Sequence, residues 1–189
     1  ASSEWLLECA AYDNCIVQRH LLQVLYNLSI NGTIQLHTNP FVWKMTSRLV
    51  QIITLKDSLE FDITLISFAC LTIGSLFKIP LFWTYFNNLD VLQALQVVLL
   101  NNNDELKYSA AFAIHKYLKY ADEFRETVVS LNVVYALLDE LSNKDCNVKS
   151  HVVGALKYLA KPYDLSREII NHRGLELLSG LVDQCATLE

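Results

Sequence analysis

The sequence predicts an all-α fold of stacked helical repeats, an α-solenoid, and three observations carry that prediction. An amphipathic, helix-like segment recurs with a period of about 42 residues, as VQRHLLQVLYNLS from Val17, LKYSAAFAIHKYL from Leu106 and VKSHVVGALKYLA from Val148. Only five glycines and three prolines punctuate 189 residues, too little turn chemistry for many strands. Hydrophobic residues make up 52% of the chain, enough for a sizeable core and well above what a disordered chain carries. A repeat of this length cannot bury its apolar face alone and stacks on its neighbours, so the chain reads as an extended binding surface.

The elements follow in order. Glu4 to Tyr12 and Asn14 to Ser29 read as the last two helices of a truncated first repeat. Residues 31 to 76, 80 to 119 and 123 to 160 read as three further units, and 165 to 184 as two helices of another. The breaks are marked by Asn31-Gly32, Asn39-Pro40, Pro80, the run Asn101 to Asp104, Asn143 to Asp145 and Pro162. Asp104 and Asp145 are placed to cap the helices that follow them. Val148, Val152, Ala155, Leu156 and Leu159 recur at helical spacing as a buried stripe, with Ala113 and Ala155 as small contacts between stacked helices. The register near residues 58–78 is not fixed by the pattern. The chain is thus expected to be one repeat domain over 1–189, about four repeats partial at both ends, cut from a larger protein.

Composition narrows the function. Net charge is −5 and the 15 Lys and Arg residues are dispersed, without the basic stripe that would neutralise several phosphates, so nucleic acid is not the expected ligand. Cys9, Cys15, Cys70, Cys146 and Cys185 are odd in number, scattered and never C-x-x-C, which argues against a disulfide framework or a zinc ribbon and for reduced thiols in the cytoplasm or nucleus. Asn27-Leu28-Ser29 and Asn31-Gly32-Thr33 match the glycosylation acceptor pattern and keep a secreted reading open, although the first falls within an expected helix. The longest uncharged stretch, Ile63 to Phe77, would span roughly 22 Å as a helix against ~30 Å of bilayer core, and is expected to be a buried repeat helix.

The segment RETVVSLNVVYALLDELSNKDCNVKSHVVGALKYLA from Arg125, restarting as REIINHRGLELLSGLVDQ from Arg167, resembles the armadillo repeat: a short first helix opening at Arg-Glu, an apolar second helix, an acidic loop, and a third helix ending in A-L-x-x-L-A. The resemblance is strong over residues 104 to 184 and looser upstream. It implies a right-handed α-α superhelix whose third helices line a concave groove; a two-helix HEAT-like architecture is the alternative. It also implies groove positions one helical turn apart: Arg19, Gln23 and Asn27; Tyr108, Phe112 and Lys116; Ser150, Gly154 and Tyr158. The four-residue spacing puts each trio on one face. Nuclear import adaptors of this family repeat a Trp and an Asn four apart on successive third helices. This chain carries Asn27 with Gln23 in place of Trp, then Phe112/Lys116 and Gly154/Tyr158, so that clamp is absent. Lys107, Lys116, Lys119, Lys149 and Lys157 beside the third helices point to an acidic and apolar peptide or helix of a partner protein.

No catalytic or metal constellation is expected, and no cofactor. Cys146 and His151 lie close in sequence but lack a third orienting group, and His20, His37, His115, His151 and His172 show no metal spacing. The reading is therefore a non-enzymatic scaffold or adaptor. A self-association module is the alternative, its sticky ends being Trp5, Leu6 and Leu7 on one side and Leu177, Leu178 and Leu181 on the other.

Overall fold

The computed structural model describes residues 15–30, 39–54, 62–121, 132–161 and 163–186. They form ten α-helices and no strand: α1 (Cys15–Ile30), α2 (Asn39–Thr54), α3 (Ile63–Leu76), α4 (Leu81–Asn88), α5 (Val91–Leu99), α6 (Asp104–Tyr120), α7 (Val133–Asp139) continued by a 3-10 turn (Glu140–Ser142), α8 (Cys146–Leu159), α9 (Tyr163–Asn171) and α10 (Gly174–Ala186). The expected helix over Glu4 to Tyr12 lies outside the described residues, as do Trp5, Leu6, Leu7 and the Asn31 acceptor site.

Local chemistry sets the period. The left-handed residues Asp90, Asn132 and Arg173 each open a second helix, at intervals of 42 and 41 residues. Asp62, Asn103 and Asp145, 41 and 42 apart, cap α3, α6 and α8, each side chain accepting an N–H from the first turn (Leu65, Leu106 and Asn147). The cap of α6 is therefore Asn103, and Asp104 is the first helical residue, its carboxylate among the unpaired N–H groups where negative charge is favoured. Asp62 also fixes the register of the uncharged stretch: Ser67, Leu71 and Ser75 on α3 correspond to Tyr108, Phe112 and Lys116 on α6. Cys146 is the first residue of α8.

The core follows the stack. Helices α1, α3, α6 and α8 pack successively, and α5 and α7 cover them from one side. Ala69, Cys70 and Ile73 on α3, Ala110, Ala111, Ala113 and Ile114 on α6, and Val148, Val152, Ala155 and Leu159 on α8 are fully buried. Alanines at the crossings let the backbones approach closely. Phe77, at the C-terminus of α3, is sealed by Phe86 at 5.2 Å and by the edge of Tyr117 at 5.1 Å, while Trp83 Nε1 donates to its carbonyl at 2.7 Å. The α4–α5–α6 unit has the short first helix, second helix and long third helix of the three-helix repeat, which decides against the two-helix alternative.

Candidate functional site

The third-helix layer (α1, α3, α6, α8) presents one side that the second helices leave uncovered. On α6 this side carries Tyr108, Phe112, His115 and Lys116, and on α8 His151, Gly154 and Tyr158, all half-buried. Their rings form one cluster. His151 sits 5.3 Å from both Tyr108 and Phe112 and 5.6 Å from His115, and His115 is 5.9 Å from Tyr158. The two imidazoles share a hydrogen bond, Nδ1 to Nδ1 at 3.3 Å.

Two glycines make room for it. A Cβ on Gly154 would stand 2.6 Å from His115 Cε1, and one on Gly74 would stand 2.7 Å from Phe112 Cε1 and 2.9 Å from the Ala113 Cα. The rings of α6 thus lie in gaps that α3 and α8 leave open, and Phe112 is held between Gly74 and His151.

Charge divides the layer lengthwise. At the N-terminal ends of α6 and α8, Asp104, Glu105 and Asp145 line a shallow depression with Tyr108 and Asn147. At the C-terminal ends, Lys116, Lys119 and Lys161 stand over the rings of Phe112, Tyr120 and Tyr158 at 5.1–5.2 Å. Among the described residues no carboxylate pairs with these three, or with Lys78 and Lys157. Burial lowers the Lys116 pKa, the Tyr120 phenol opposes that, and Lys119 and Lys78 add to it. Burial also pushes His115 down to about 4, with Lys116, His151, Lys119 and Lys157 contributing, and lowers His151, with Lys116 contributing. Both imidazoles are neutral at pH 7.

The structure places the remaining sequence-selected residues less uniformly. Ser150 is exposed on α8, and Gln23 and Asn27 are exposed on α1. Arg19 is held by Asp62 at 2.5 Å, bridging α1 to the cap of α3. Burial opposes ionisation of Asp62, but the Arg19 and Leu65 hydrogen bonds outweigh it and hold the carboxyl below its usual value. Lys107 is bound at 2.5 Å to the buried Glu140, so its charge is neutralised inside the molecule and contributes nothing to an acidic-ligand surface. The sequence pattern, which shows no metal spacing among the histidines, does not pair His115 with His151. The signal that joins them is the repeat frame: each lies one residue from a groove row, on helices that stack directly.

Among the described residues no group of three or more His, Cys, Asp or Glu is arranged to hold a metal ion. No described helix is long and apolar enough to cross a membrane.

The fold is that of an armadillo-type solenoid. The designed armadillo repeat protein YIII(Dq)4CqI superposes with a TM-score of 0.79 at 16% identity, over 96% of this chain and 74% of that one. The related design YIII(Dq.V1)4CPAF, in complex with the peptide (KR)4, gives 0.77 at 16% identity, over 97% and 75%. A chain from a structure concerning the phosphorylation switch in the cadherin and beta-catenin interaction gives 0.79 at 14% identity, over 99% of this chain and 34% of that one. No protein-family model and no curated protein sequence matches the chain.

Proposed function

We propose that the protein is a non-enzymatic scaffold that holds an acidic and apolar segment of a partner protein across its third-helix layer. The observation that carries this reading is the half-buried Tyr108, Phe112, His115, His151 and Tyr158 cluster bordered by lysines that no carboxylate among the described residues neutralises. The rings offer anchoring area for an apolar side chain, and Lys116, Lys119 and Lys157 offer partners for carboxylates following it. One solved neighbour, a designed armadillo repeat protein, is in complex with the peptide (KR)4; here the lysine end favours the opposite charge. Ser150, Gln23 and Asn27 extend the surface with hydrogen-bonding groups, and Tyr26, its pKa raised by burial and then by Tyr108, shares that environment.

The test is a fluorescence titration with two synthetic peptides, one alternating Glu with Leu and Phe, the other with Lys in place of Glu. The acidic peptide should bind and lose affinity in Lys116→Glu, whose melting stays near wild type. Phe112→Ala alone is the poorer probe, since this ring fills the Gly74 gap and its loss also costs packing. Equal binding of both peptides, or no effect of Lys116→Glu, would remove this reading. The rival, a self-association module, draws on exposed Leu177 with half-buried Leu178 and Leu181. It predicts concentration-dependent association that survives Lys116→Glu.

A further inference from the structure

His115 on α6 and His151 on α8 come from adjacent repeats and turn the same atom, Nδ1, toward each other at 3.3 Å. That is long for a ring N–H hydrogen bond, N–H···O bonds running at about 2.7–3.2 Å. It matches another geometry. Zinc–imidazole bonds of about 2.05 Å at the tetrahedral angle separate the two nitrogens by about 3.3 Å, whereas a right-angled pair would stand about 2.9 Å apart and a linear one about 4.1 Å. Packing already fixes both rings. His151 lies 5.3 Å from Tyr108 and from Phe112, while His115 lies 5.9 Å from Tyr158 and fills the space that Gly154, without a Cβ, leaves open.

We infer that His115 and His151 are the protein ligands of a four-coordinate divalent transition metal, zinc being the best fit, bound through both Nδ1 atoms. Imidazole nitrogen selects zinc, copper or nickel over magnesium and calcium, which take oxygen. Binding asks one change of the pair: the ring that now donates carries its proton on Nε2, leaving both Nδ1 lone pairs bare. Among the described residues no His, Cys, Asp or Glu completes a set of three, so two positions are left for water or an added ligand. Lys116 acts on both imidazoles, and Lys119 and Lys157 act on His115; their charges disfavour a bare dication. An anionic ligand at the open positions offsets that, so a carboxylate of the bound segment is the expected third ligand. This carboxylate rests on the acidic-segment reading; the two-histidine site stands without it.

The probe is cobalt(II), which occupies zinc sites and absorbs strongly in the visible when tetrahedral but weakly when octahedral. The whole reduced chain is stripped with chelator, titrated with cobalt(II) chloride and back-titrated with zinc chloride. One equivalent of tetrahedral cobalt, displaced by zinc, is expected. Its affinity should fall roughly tenfold or more in His115→Gln and in His151→Gln, and stay unchanged in Cys146→Ser and His172→Gln. Zinc should also raise the melting temperature of the wild type but of neither His115→Gln nor His151→Gln, each compared with its own metal-free melt, so that a weakened fold is not mistaken for a lost ligand. A titration without the tetrahedral spectrum overturns the inference, as does a spectrum that both variants retain or that Cys146→Ser removes. The Glu, Leu and Phe peptide should shift the cobalt bands, and its Lys counterpart should not. Bands that ignore the acidic peptide support the metal site and overturn the carboxylate's place on it. Acidic-peptide binding that persists in chelator and fails in Lys116→Glu, beside a colourless cobalt titration, overturns the metal site and leaves the acidic-segment reading standing.

Discussion

Gly154 and His115 are fitted to one another: three atoms of the imidazole lie 2.6 to 2.9 Å from where a Cβ on residue 154 would stand. Glycine in the middle of a helix costs about 1 kcal/mol relative to alanine, so Gly154→Ala would stabilise α8 if space allowed. It does not allow it, because His115 is also held by His151. Gly154→Ala is expected to destabilise the fold, with overpacking of about 1–3 kcal/mol exceeding the helix gain. Gly74→Ala should cost more, as its Cβ would meet the Ala113 backbone as well as a ring. Urea midpoints of the two variants against wild type check the order.

The imidazole pair makes the fold sensitive to acid. His115 is held down to about 4 in the folded protein, by burial first and by Lys116 next, while an unfolded histidine titrates near 6.5. The unfolded chain therefore binds the extra proton, and stability falls as pH drops from about 6.5 to about 4. His151, lowered for the same leading reason, acts in the same direction. Asp62, also lowered, adds a further loss where carboxylates protonate. Urea midpoints between pH 7.5 and 4.5 should decline, and His115→Gln should decline less steeply. A flat wild-type profile would contradict this account of the pair.

Lys107 and Glu140 form an ion pair between α6 and the 3-10 turn after α7, with Glu140 only 3% exposed. Asn143 Nδ2 donates to the other carboxylate oxygen at 2.8 Å, so the site is built around a charge. Removing only the lysine leaves that charge buried, and Lys107→Met is expected to cost about 3–5 kcal/mol. The double variant Lys107→Met/Glu140→Leu should recover most of it. Thermal melts of the single and double variants, compared as a cycle, decide whether the coupling is real.

How much of this was legible in the sequence depends on which interactions define each part. The repeat and its buried stripe were readable because Val148, Val152, Ala155, Leu156 and Leu159 obey helical periodicity within one segment. The register around Cys70 was not, since Ile63 to Phe77 carries no charge on any side and only a weak amphipathic phase; one capping carboxylate, Asp62, settles it. Tyr108, Phe112, Lys116 and Tyr158 were reached through spacing and resemblance, and the structure brings them together. The His115–His151 contact and the neutralisation of Lys107 escaped, because each pairs residues more than thirty positions apart whose meeting depends on how neighbouring helices are offset. Arg19 escaped for the same reason: its partner Asp62 belongs to the next repeat.

Cys70 and Cys146 provide a readout of folding that needs no ligand. Cys70 is fully buried on α3, and burial pushes its thiol up to about 12, with the Ser109 side chain opposing only in part. At pH 8 its thiolate is scarce and no reagent reaches it. Cys146 is exposed at the start of α8. Iodoacetamide should therefore modify Cys146 within the native protein and modify Cys70 only through unfolding, as followed by peptide mass spectrometry. Leu159→Ala opens a cavity beneath a residue of no exposure, at about 2–5 kcal/mol. If Cys70 is protected by the stack as a whole, that substitution, two third helices away, should raise its labelling rate in proportion to the lost stability while leaving Cys146 unchanged. Labelling of Cys70 that ignores Leu159→Ala would mean that α3 opens locally, without the rest of the stack.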